Sequence, residues 1–481
     1  MARTQSASVF LAALVAALAC SREASGPLPS TPRIDYVDGA IEPLLLPGAT
    51  LVIEGFGFGD SQATGSVRFA RLGGGTLPAV VGAGAWSDHA IRLSVPDSAA
   101  SGTLTVTSAG GRTLTTIVHV LPRVPFDPAA LTWQARTVFP RAPVGVALTT
   151  GVEPAGVALN VTLYAAGGAE PLGGDSVIVP DSAAFVARAG PGGAIGSWSR
   201  PRDLPVPRAF AAAAFGNRYN SRFDGRALYV IGGIDSSGRA RATVFQALAT
   251  RDTAIGAFTA IEPLPAPRAG AIAVVRRGRI YVMGGTDSLG RPQANVFVGR
   301  IGVDGHIDGW YTQPALPTAR AYGGGVVLDD HLVVFGGIQD SAPLGGGLDA
   351  APLRLAAADT ARVSLASGFL SGAWAVAGAL LPEGRSQFAT LPLGDAVLIV
   401  GGMYGGAATN SSEMLAAAIG GDAVSGFAGP VGANTIAGAG GGTLIGPAGA
   451  SWLDADGSWH GIVLGGIDLL TRLRRDGAWG F

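Results

Sequence analysis

The sequence predicts an all-β protein in which a small β-sandwich precedes a six-bladed β-propeller. Three observations lead to this prediction. Residues 32–121 contain short alternating strands separated by glycine or proline. Farther along the chain, six hydrophobic strands each end in a Gly-Gly pair, at intervals of 52 to 65 residues. Because no segment keeps a 3.6-residue hydrophobic period, a helical repeat is excluded.

Composition limits the possible classes of protein. The 481 residues are 48% hydrophobic and 14% charged, which is enough apolar material for a large core and excludes wholesale disorder. The 75 glycines follow no three-residue period, so a collagen helix is excluded. The formal net charge of −1 leaves no basic surplus for phosphate groups. We therefore expect no nucleic-acid partner.

The N-terminal segment, residues 1–19, predicts a secretory signal peptide. Its apolar run from Val9 to Ala19 is too short to span a bilayer, which needs about 20 residues, but it suits an export signal. The chain has a single cysteine, Cys20, directly after this run. One cysteine excludes an internal disulfide and a cysteine metal cage.

The four residues from Ala17 to Cys20 resemble a bacterial lipobox. The resemblance implies that Cys20 is diacylated and becomes the new N-terminus. Ser21 follows in place of an aspartate, which implies the outer membrane, or the cell surface, and a lipid-anchored, exported protein. Residues 20–31 are small, polar and proline-containing, typical of a flexible tether. The alternative is an ordinary cleaved signal with an incidental cysteine.

Residues 32–121 carry the strands of the predicted sandwich. Each strand alternates apolar and polar side chains over four to six positions, as in Ile91 to Val95 and Leu104 to Thr107. The segments Pro47 to Gly59 and Trp86 to Pro96 resemble the IPT/TIG family of immunoglobulin-like domains. This resemblance implies a spacer or adhesive module without catalytic residues.

Residues 122–481 contain the repeat that predicts the propeller. Each unit is expected to hold four short strands, with arginines bonding the carbonyls of an adjacent loop and aromatic residues packing between blades. The recurring arginines are Arg208, Arg268, Arg320 and Arg385, and the recurring tryptophans are Trp198, Trp310, Trp374 and Trp479. Strands near Trp133 and Trp479 are expected to pair and close the ring. The set resembles the kelch repeat of galactose-oxidase-like propellers.

The chain lacks the sequence motifs of several catalytic and cofactor-binding classes. Copper-radical oxidation of the galactose oxidase type is excluded because the propeller has no cysteine. No nucleophile elbow, zinc-protease helix or phosphate-binding loop is present. The stretch from Asp454 to Trp459 has the alternating aspartates of a calcium loop, but we favour a β-turn before the strand that ends at Gly465. The sequence therefore assigns no catalytic residue, cofactor or metal ligand.

One polar and aromatic insertion predicts a contact loop. It lengthens the second repeat and contains Arg218, Tyr219, Arg222 and Phe223. Loop-borne tyrosine and arginine are typical of binding surfaces.

The expected function is non-catalytic binding of an envelope protein or a glycan by a monomeric lipoprotein. The alternative is a sugar-acting propeller enzyme of the mutarotase or epimerase type, because the predicted propeller loosely resembles the kelch-type N-acetylneuraminate epimerases. A third hypothesis is a purely structural envelope protein. The first two differ in the central cavity, where an enzyme needs convergent acid and base groups.

Overall fold

The computed structural model describes residues 31–127, 131–141, 143–156, 158–171, 178–250, 254–328, 331–340, 354–355, 357–362, 367–394, 396–404, 414–420, 423–424, 444–454, 456–466 and 478–480. The predicted signal peptide, Cys20 and the tether up to residue 30 lie outside these ranges. The described chain is all-β, apart from one 3-10 turn at Pro191–Gly193. Within the described ranges, no helix has the length and apolarity needed to cross a membrane.

The first domain consists of two sheets around one core. Its strands are β1 (Arg33–Val37), β2 (Leu44–Leu45), β3 (Thr50–Phe56), β4 (Ser66–Arg71), β5 (Thr76–Pro78), β6 (Val81–Trp86), β7 (Ala90–Ser94), β8 (Ala99–Thr107) and β9 (Thr113–Val120). One sheet has the order β1-β3-β7-β6 and the other β2-β9-β8-β4-β5. Ile53 and Ile91 from the first sheet and Phe69 and Leu104 from the second are buried in the same cluster. Apolar and polar side chains alternate along the strands, so the apolar face of each sheet points toward the core.

The remaining strands belong to the repeat region. They are β10 (Gln134–Ala135), β11 (Ala147–Ala155), β12 (Ala158–Ala166), β13 (Ala169–Pro171), β14 (Ile178–Pro180), β15 (Ala184–Ala189), β16 (Ala212–Asn217), β17 (Arg226–Ile231), β18 (Val244–Leu248), β19 (Thr259–Ile261), β20 (Ile272–Arg276), β21 (Arg279–Met283), β22 (Val296–Ile301), β23 (Ile307–Gln313), β24 (Gly324–Leu328), β25 (His331–Phe335), β26 (Ala357–Arg362), β27 (Ala375–Leu380), β28 (Arg385–Ser386), β29 (Ala389–Leu393), β30 (Ala396–Val400), β31 (Met403–Tyr404), β32 (Met414–Gly420), β33 (Ala423–Val424), β34 (Ala448–Leu453), β35 (Trp459–Leu464) and β36 (Ala478–Gly480).

Five four-stranded antiparallel sheets form the blades of a β-propeller. Their strand orders are β16-β17-β18-β19, β20-β21-β22-β23, β24-β25-β26-β27, β29-β30-β32-β33 and β10-β36-β35-β34. The first repeat instead forms a three-stranded sheet, β11-β12-β15. The expectation of four strands in every unit is wrong here, because Ser199 makes only a single bridge to Val186. Gly196 and Pro201 flank that bridge, and neither residue favours a longer ladder.

The last described sheet combines the two ends of the repeat region. Gln134 pairs with Gly480 and Ala135 pairs with Trp479, so the expected pairing of these segments is confirmed. The N-terminal strand β10 takes the outermost position, next to β36. This pairing covers an edge that would otherwise expose unpaired backbone groups.

A ring of backbone hydrogen bonds joins the starts of the inner strands. Its members all have φ between 52° and 65° and are Gly145, Phe210, Gly270, Tyr322, Gln387 and Gly446. Each N–H donates to the carbonyl of the preceding member, and Gly145 donates to Gly446, at 2.8 to 3.0 Å. The ring therefore satisfies the backbone groups at one end of the molecule's central axis.

The Gly-Gly pairs lie in close contact with the neighbouring repeat. Gly232 and Gly233 have φ values of 67° and 84°. A Cβ atom on Gly232 would lie 2.2 Å from the carbonyl oxygen of Arg268, which belongs to the next repeat. The repeated glycines are thus required both by backbone conformation and by the absence of space.

Candidate functional site

A channel of about 470 Å³ runs along the axis between the inner strands. Strands β11, β16, β20, β24, β29 and β34 all contribute to its wall. Small side chains such as Ala214 and Ala450 dominate, with hydroxyl groups from Thr149, Thr390 and Ser451. Among the described residues that line the channel, none carries an ionisable side chain. The described part of the wall therefore supplies no side chain for acid–base chemistry.

The backbone ring and two aromatic side chains narrow one end of the channel. Phe210 and Tyr322 meet edge to face, with ring centroids 5.2 Å apart. Burial raises the pKa of Tyr322 to about 12, so its hydroxyl stays protonated at neutral pH. Gln387 is beside them in a pocket of about 130 Å³.

Two of the recurring arginines stack on a phenylalanine of the sheet that follows them in the chain. Arg208 lies 5.3 Å from the ring centre of Phe245, and Arg268 lies 5.1 Å from that of Phe297. Each also donates to the carbonyl of the preceding proline, at 2.8 and 2.6 Å respectively. Both side chains are buried at these stacking positions. Their contacts hold the loops of the repeat together.

The other two arginines bond the first glycine of their own Gly-Gly pair. Arg320 donates to the carbonyl of Gly336 at 2.9 Å, and Arg385 donates to that of Gly401 at 3.4 Å. Arg320 also forms a buried ion pair with Asp359. Burial lowers the pKa of Arg320 and raises that of Asp359. All four arginines therefore contact the protein's own loops and strands.

The recurring tryptophans contact the preceding repeat where their side chains are described. Trp310 Nε1 donates to the carbonyl of Glu262 at 3.0 Å, and Trp374 Nε1 donates to that of Pro314 at 2.9 Å. Trp198 packs edge to face against Phe139, with centroids 4.8 Å apart. The side chain of Trp479 lies outside the described residues.

The predicted contact loop lies against the first domain. Arg218 Nη2 is 2.8 Å from Glu42 Oε1. Tyr219 meets the ring of His119 edge to face at 5.4 Å. The loop is thus a contact surface, and it binds the first domain of the same chain.

The remaining residues of the loop divide between two environments. Arg222 Nη2 lies 2.7 Å from Glu54 Oε2, and its guanidinium stacks 4.3 Å from the ring centre of Tyr36. Phe223 is buried instead in the apolar cluster between the β16–β19 and β20–β23 sheets. A Cβ atom on Gly305, in the turn between β22 and β23, would lie 2.9 Å from the Phe223 ring.

Sequence reasoning missed a second contact to the first domain. The hairpin between β20 and β21 places Arg276 and Arg277 beside Asp38. One signal was available, because Arg277-Gly278 is a two-residue loop in which asparagine is the usual first residue. An arginine at that position indicates a requirement other than the turn itself.

The possible calcium loop forms a hydrogen-bonded turn. Asp454 N–H donates to the Ser458 carbonyl, and Asp456 Oδ1 accepts from the Ser458 N–H, both at 2.8 Å. These bonds to Ser458 lower the pKa of Asp456. Throughout the described part of the chain, no group of three or more histidine, cysteine, aspartate or glutamate residues is placed to hold a metal ion.

One of two known proteins similar to this chain supports the propeller fold. No protein-family model matches the chain. Beta-scruin of Limulus polyphemus, a kelch-repeat homologue, is 32% identical over 146 residues, which are 30% of this chain and 15% of the relative. The solved structure of YjhT covers 62% of this chain and all of its own, at 14% identity and a TM-score of 0.42. The five four-stranded blades and the beta-scruin match support a kelch-like propeller.

Proposed function

We propose that this protein is a non-catalytic binding scaffold whose propeller recognises a protein or a glycan. The observation that carries the proposal is the channel wall, which offers hydroxyl and small apolar groups but no ionisable side chain among its described residues. A mutarotase or epimerase needs an acid or base at the sugar. Recognition through loops needs no such group in the channel.

The binding surface we propose is the end of the propeller that carries the backbone ring, here called the open face. It is formed by the loops before the inner strands and the loops after the Gly-Gly pairs, which are joined by bridges such as Ala209 with Ile234. Leu289 is 70% exposed and Val206 is 41% exposed on these loops. Arg291 is also exposed there. Exposed arginine and apolar side chains on rigid loops are typical of recognition surfaces.

The fold of both domains can be specified further within this proposal. The β11-β12-β15 sheet is the sixth blade of a six-bladed ring. It packs against β16 and β34, contributes to the channel wall, and supplies Gly145 to the backbone ring. The first domain is an IPT/TIG-type immunoglobulin-like sandwich, as its two sheets around one core and the residue resemblance suggest.

The cellular setting rests on the lipobox resemblance at Cys20. A lipid on this cysteine anchors the mature protein to the bacterial outer membrane. The first domain then separates the propeller from the membrane, so the open face can reach another envelope component. No contact in the described residues bears on oligomeric state, and we propose a monomer.

The binding surface is tested with the mature protein carrying Cys20→Ser. A saccharide panel is screened by thermal unfolding, with and without calcium. A ligand at about 100 times its Kd adds about 2.7 kcal/mol of stability, which raises Tm by several degrees. The same protein is then used to capture partners from an envelope extract. The variant Leu289→Asp/Arg291→Glu is tested in parallel in both assays.

We expect the binding detected in either assay to be lost in the Leu289→Asp/Arg291→Glu variant. Val80→Asp is the matched control, because Val80 is 87% exposed but belongs to the first domain. Equal binding by both variants would refute the open face as the binding surface. Turnover of any sugar that binds would overturn the non-catalytic role and favour the enzyme.

A further inference from the structure

Two tight turns from different domains interlock at the junction. One is the Asp38-Gly39 turn after β1, and the other is the Arg277-Gly278 loop between β20 and β21. A Cβ atom on Gly39 would lie 2.7 Å from the carbonyl oxygen of Arg277. The two backbones are therefore in direct contact, with no room for a side chain between them.

Each turn holds a charged residue in the left-handed region of backbone conformation. Asp38 has φ 53° and Arg277 has φ 52°. Such conformations are unfavourable for arginine and persist only where other contacts compensate. Here Arg277 Nη2 lies 3.0 Å from Asp38 Oδ1 and donates to the carbonyl of Thr50 at 3.0 Å. The strain is thus located at a contact between domains.

This charged pair is nearly inaccessible to solvent. The side chains of Arg277 and Asp38 are only 3% and 4% exposed. Arg276 forms a second ion pair with the same carboxylate. While the domains are docked, the buried Asp38 carboxylate is compensated by both arginines, so removing one of them leaves a buried charge without a partner and favours separation.

The charges on the two sides of the junction are complementary. Besides Asp38, the first domain presents Glu42 and Glu54, which pair with Arg218 and Arg222. Backbone hydrogen bonds reinforce the contact of the loop that contains Arg218 and Arg222. The N–H groups of Ile41 and Glu42 both donate to the carbonyl of Arg218 at 3.0 Å. Arg218 and Arg222 lie in the loop after β16, and Arg277 lies in the loop after β20, whose last residue is Arg276.

We propose that residues 217–226 and 276–279 form a dedicated docking surface for the acidic edge of the first domain, with Arg277 as its anchor. The two domains then behave as one rigid body, not as two modules on a flexible linker. The docked end of the propeller lies opposite the open face. The inference does not depend on what the open face binds.

The inference is tested by measuring the distance between domains in solution. Spin labels are attached at Val80→Cys and Leu289→Cys in the Cys20→Ser chain, because both positions are well exposed. We expect pulsed electron paramagnetic resonance to give a single narrow distance peak. Arg277→Asn should replace that peak with a broad distribution. Asp38→Asn should do the same, and the double variant should be no broader than either alone.

Asparagine is chosen as the replacement for Arg277 because it removes the ion pair but still permits the hairpin loop to form. After glycine it is among the residues that best tolerate positive φ, and Asn-Gly is a preferred hairpin loop. The matched control is Arg300→Gln, which removes a pair with Asp308 at 2.8 Å within the propeller and should leave the peak narrow. A broad distribution in the unsubstituted chain, or an unchanged peak in Arg277→Asn, would overturn the inference.

Discussion

At the scale of single residues, one register position distinguishes the repeats. Phe245 and Phe297 lie opposite Val230 and Val282, and each stacks under an arginine. The corresponding residue opposite Val334 is Asp359. A buried ion pair therefore replaces a cation–π stack in the β24–β27 sheet. The charge of the recurring arginine is thus stabilised by a phenylalanine ring in two repeats and by a carboxylate in a third.

The buried pair yields a prediction about stability. Asp359→Ala leaves Arg320 without its charge partner and should lower the free energy of unfolding by about 3–5 kcal/mol. Asp359→Phe should cost clearly less, because it introduces the stacking residue used by Arg208 and Arg268. Denaturant unfolding of the two variants tests this. A phenylalanine variant as unstable as the alanine variant would contradict it.

At the scale of elements, the turns after the Gly-Gly pairs share one construction. Asp235 Oδ1 accepts from the N–H groups of Ser237 and Arg239, and Asp287 Oδ1 accepts from those of Leu289 and Arg291. Repetition at the same offset is explained by turn capping. These aspartates therefore need no ligand to account for their recurrence.

Because Asp235 caps the β17–β18 turn as a carboxylate, the stability that it contributes depends on pH. Burial opposes ionisation, but hydrogen bonds from Ser237 and Arg241 lower the pKa of Asp235 to about 2. A depressed folded-state pKa stabilises the protein above the unfolded value of about 3.9, and the effect is lost as pH falls toward 2. We expect Asp235→Asn to be less stable than the parent by about 1–2 kcal/mol at pH 7.

The stability difference between the two proteins should shrink as pH falls from about 4 to about 2. Urea unfolding across this range measures it. A difference that is independent of pH would show that the carboxylate charge does not stabilise the turn.

At the scale of the whole molecule, three long-range contacts organise the described chain. Strand β10 closes the last sheet, the backbone ring joins the inner strands, and the arginine loops hold the first domain. These features give the propeller two different ends. The first domain occupies one end, and the exposed loops with Leu289 are at the other.

The proposed lipid anchor determines where this assembly is located in the cell. If Cys20 is acylated, the protein expressed in a bacterial host should fractionate with the outer membrane. Cys20→Ser should release it from the membrane fraction, because the single chain-linked attachment is lost. Membrane fractionation with immunodetection measures this, and Ser21→Ala is the control. A Cys20→Ser protein that stays membrane-bound would refute the anchor.

The sequence by itself determined the all-β class, the repeat and the arginines that recur in it, but not that these arginines are buried. The Gly-Gly pairs, and the arginines that precede three of them by 16 residues, are local signals that recur in each repeat. The same logic misjudged the first repeat, since a Gly/Pro-rich segment after β15 prevents a fourth full strand.

Only the tertiary structure decided what the loops contact. The Arg218–Phe223 loop resembled a surface for an external partner, yet Arg218 and Arg222 pair with carboxylates of the first domain. Arg276 and Asp38 are 238 residues apart in sequence. No local pattern carries such a pairing, because it depends on how the sheets are arranged around the axis and which of their ends the first domain meets.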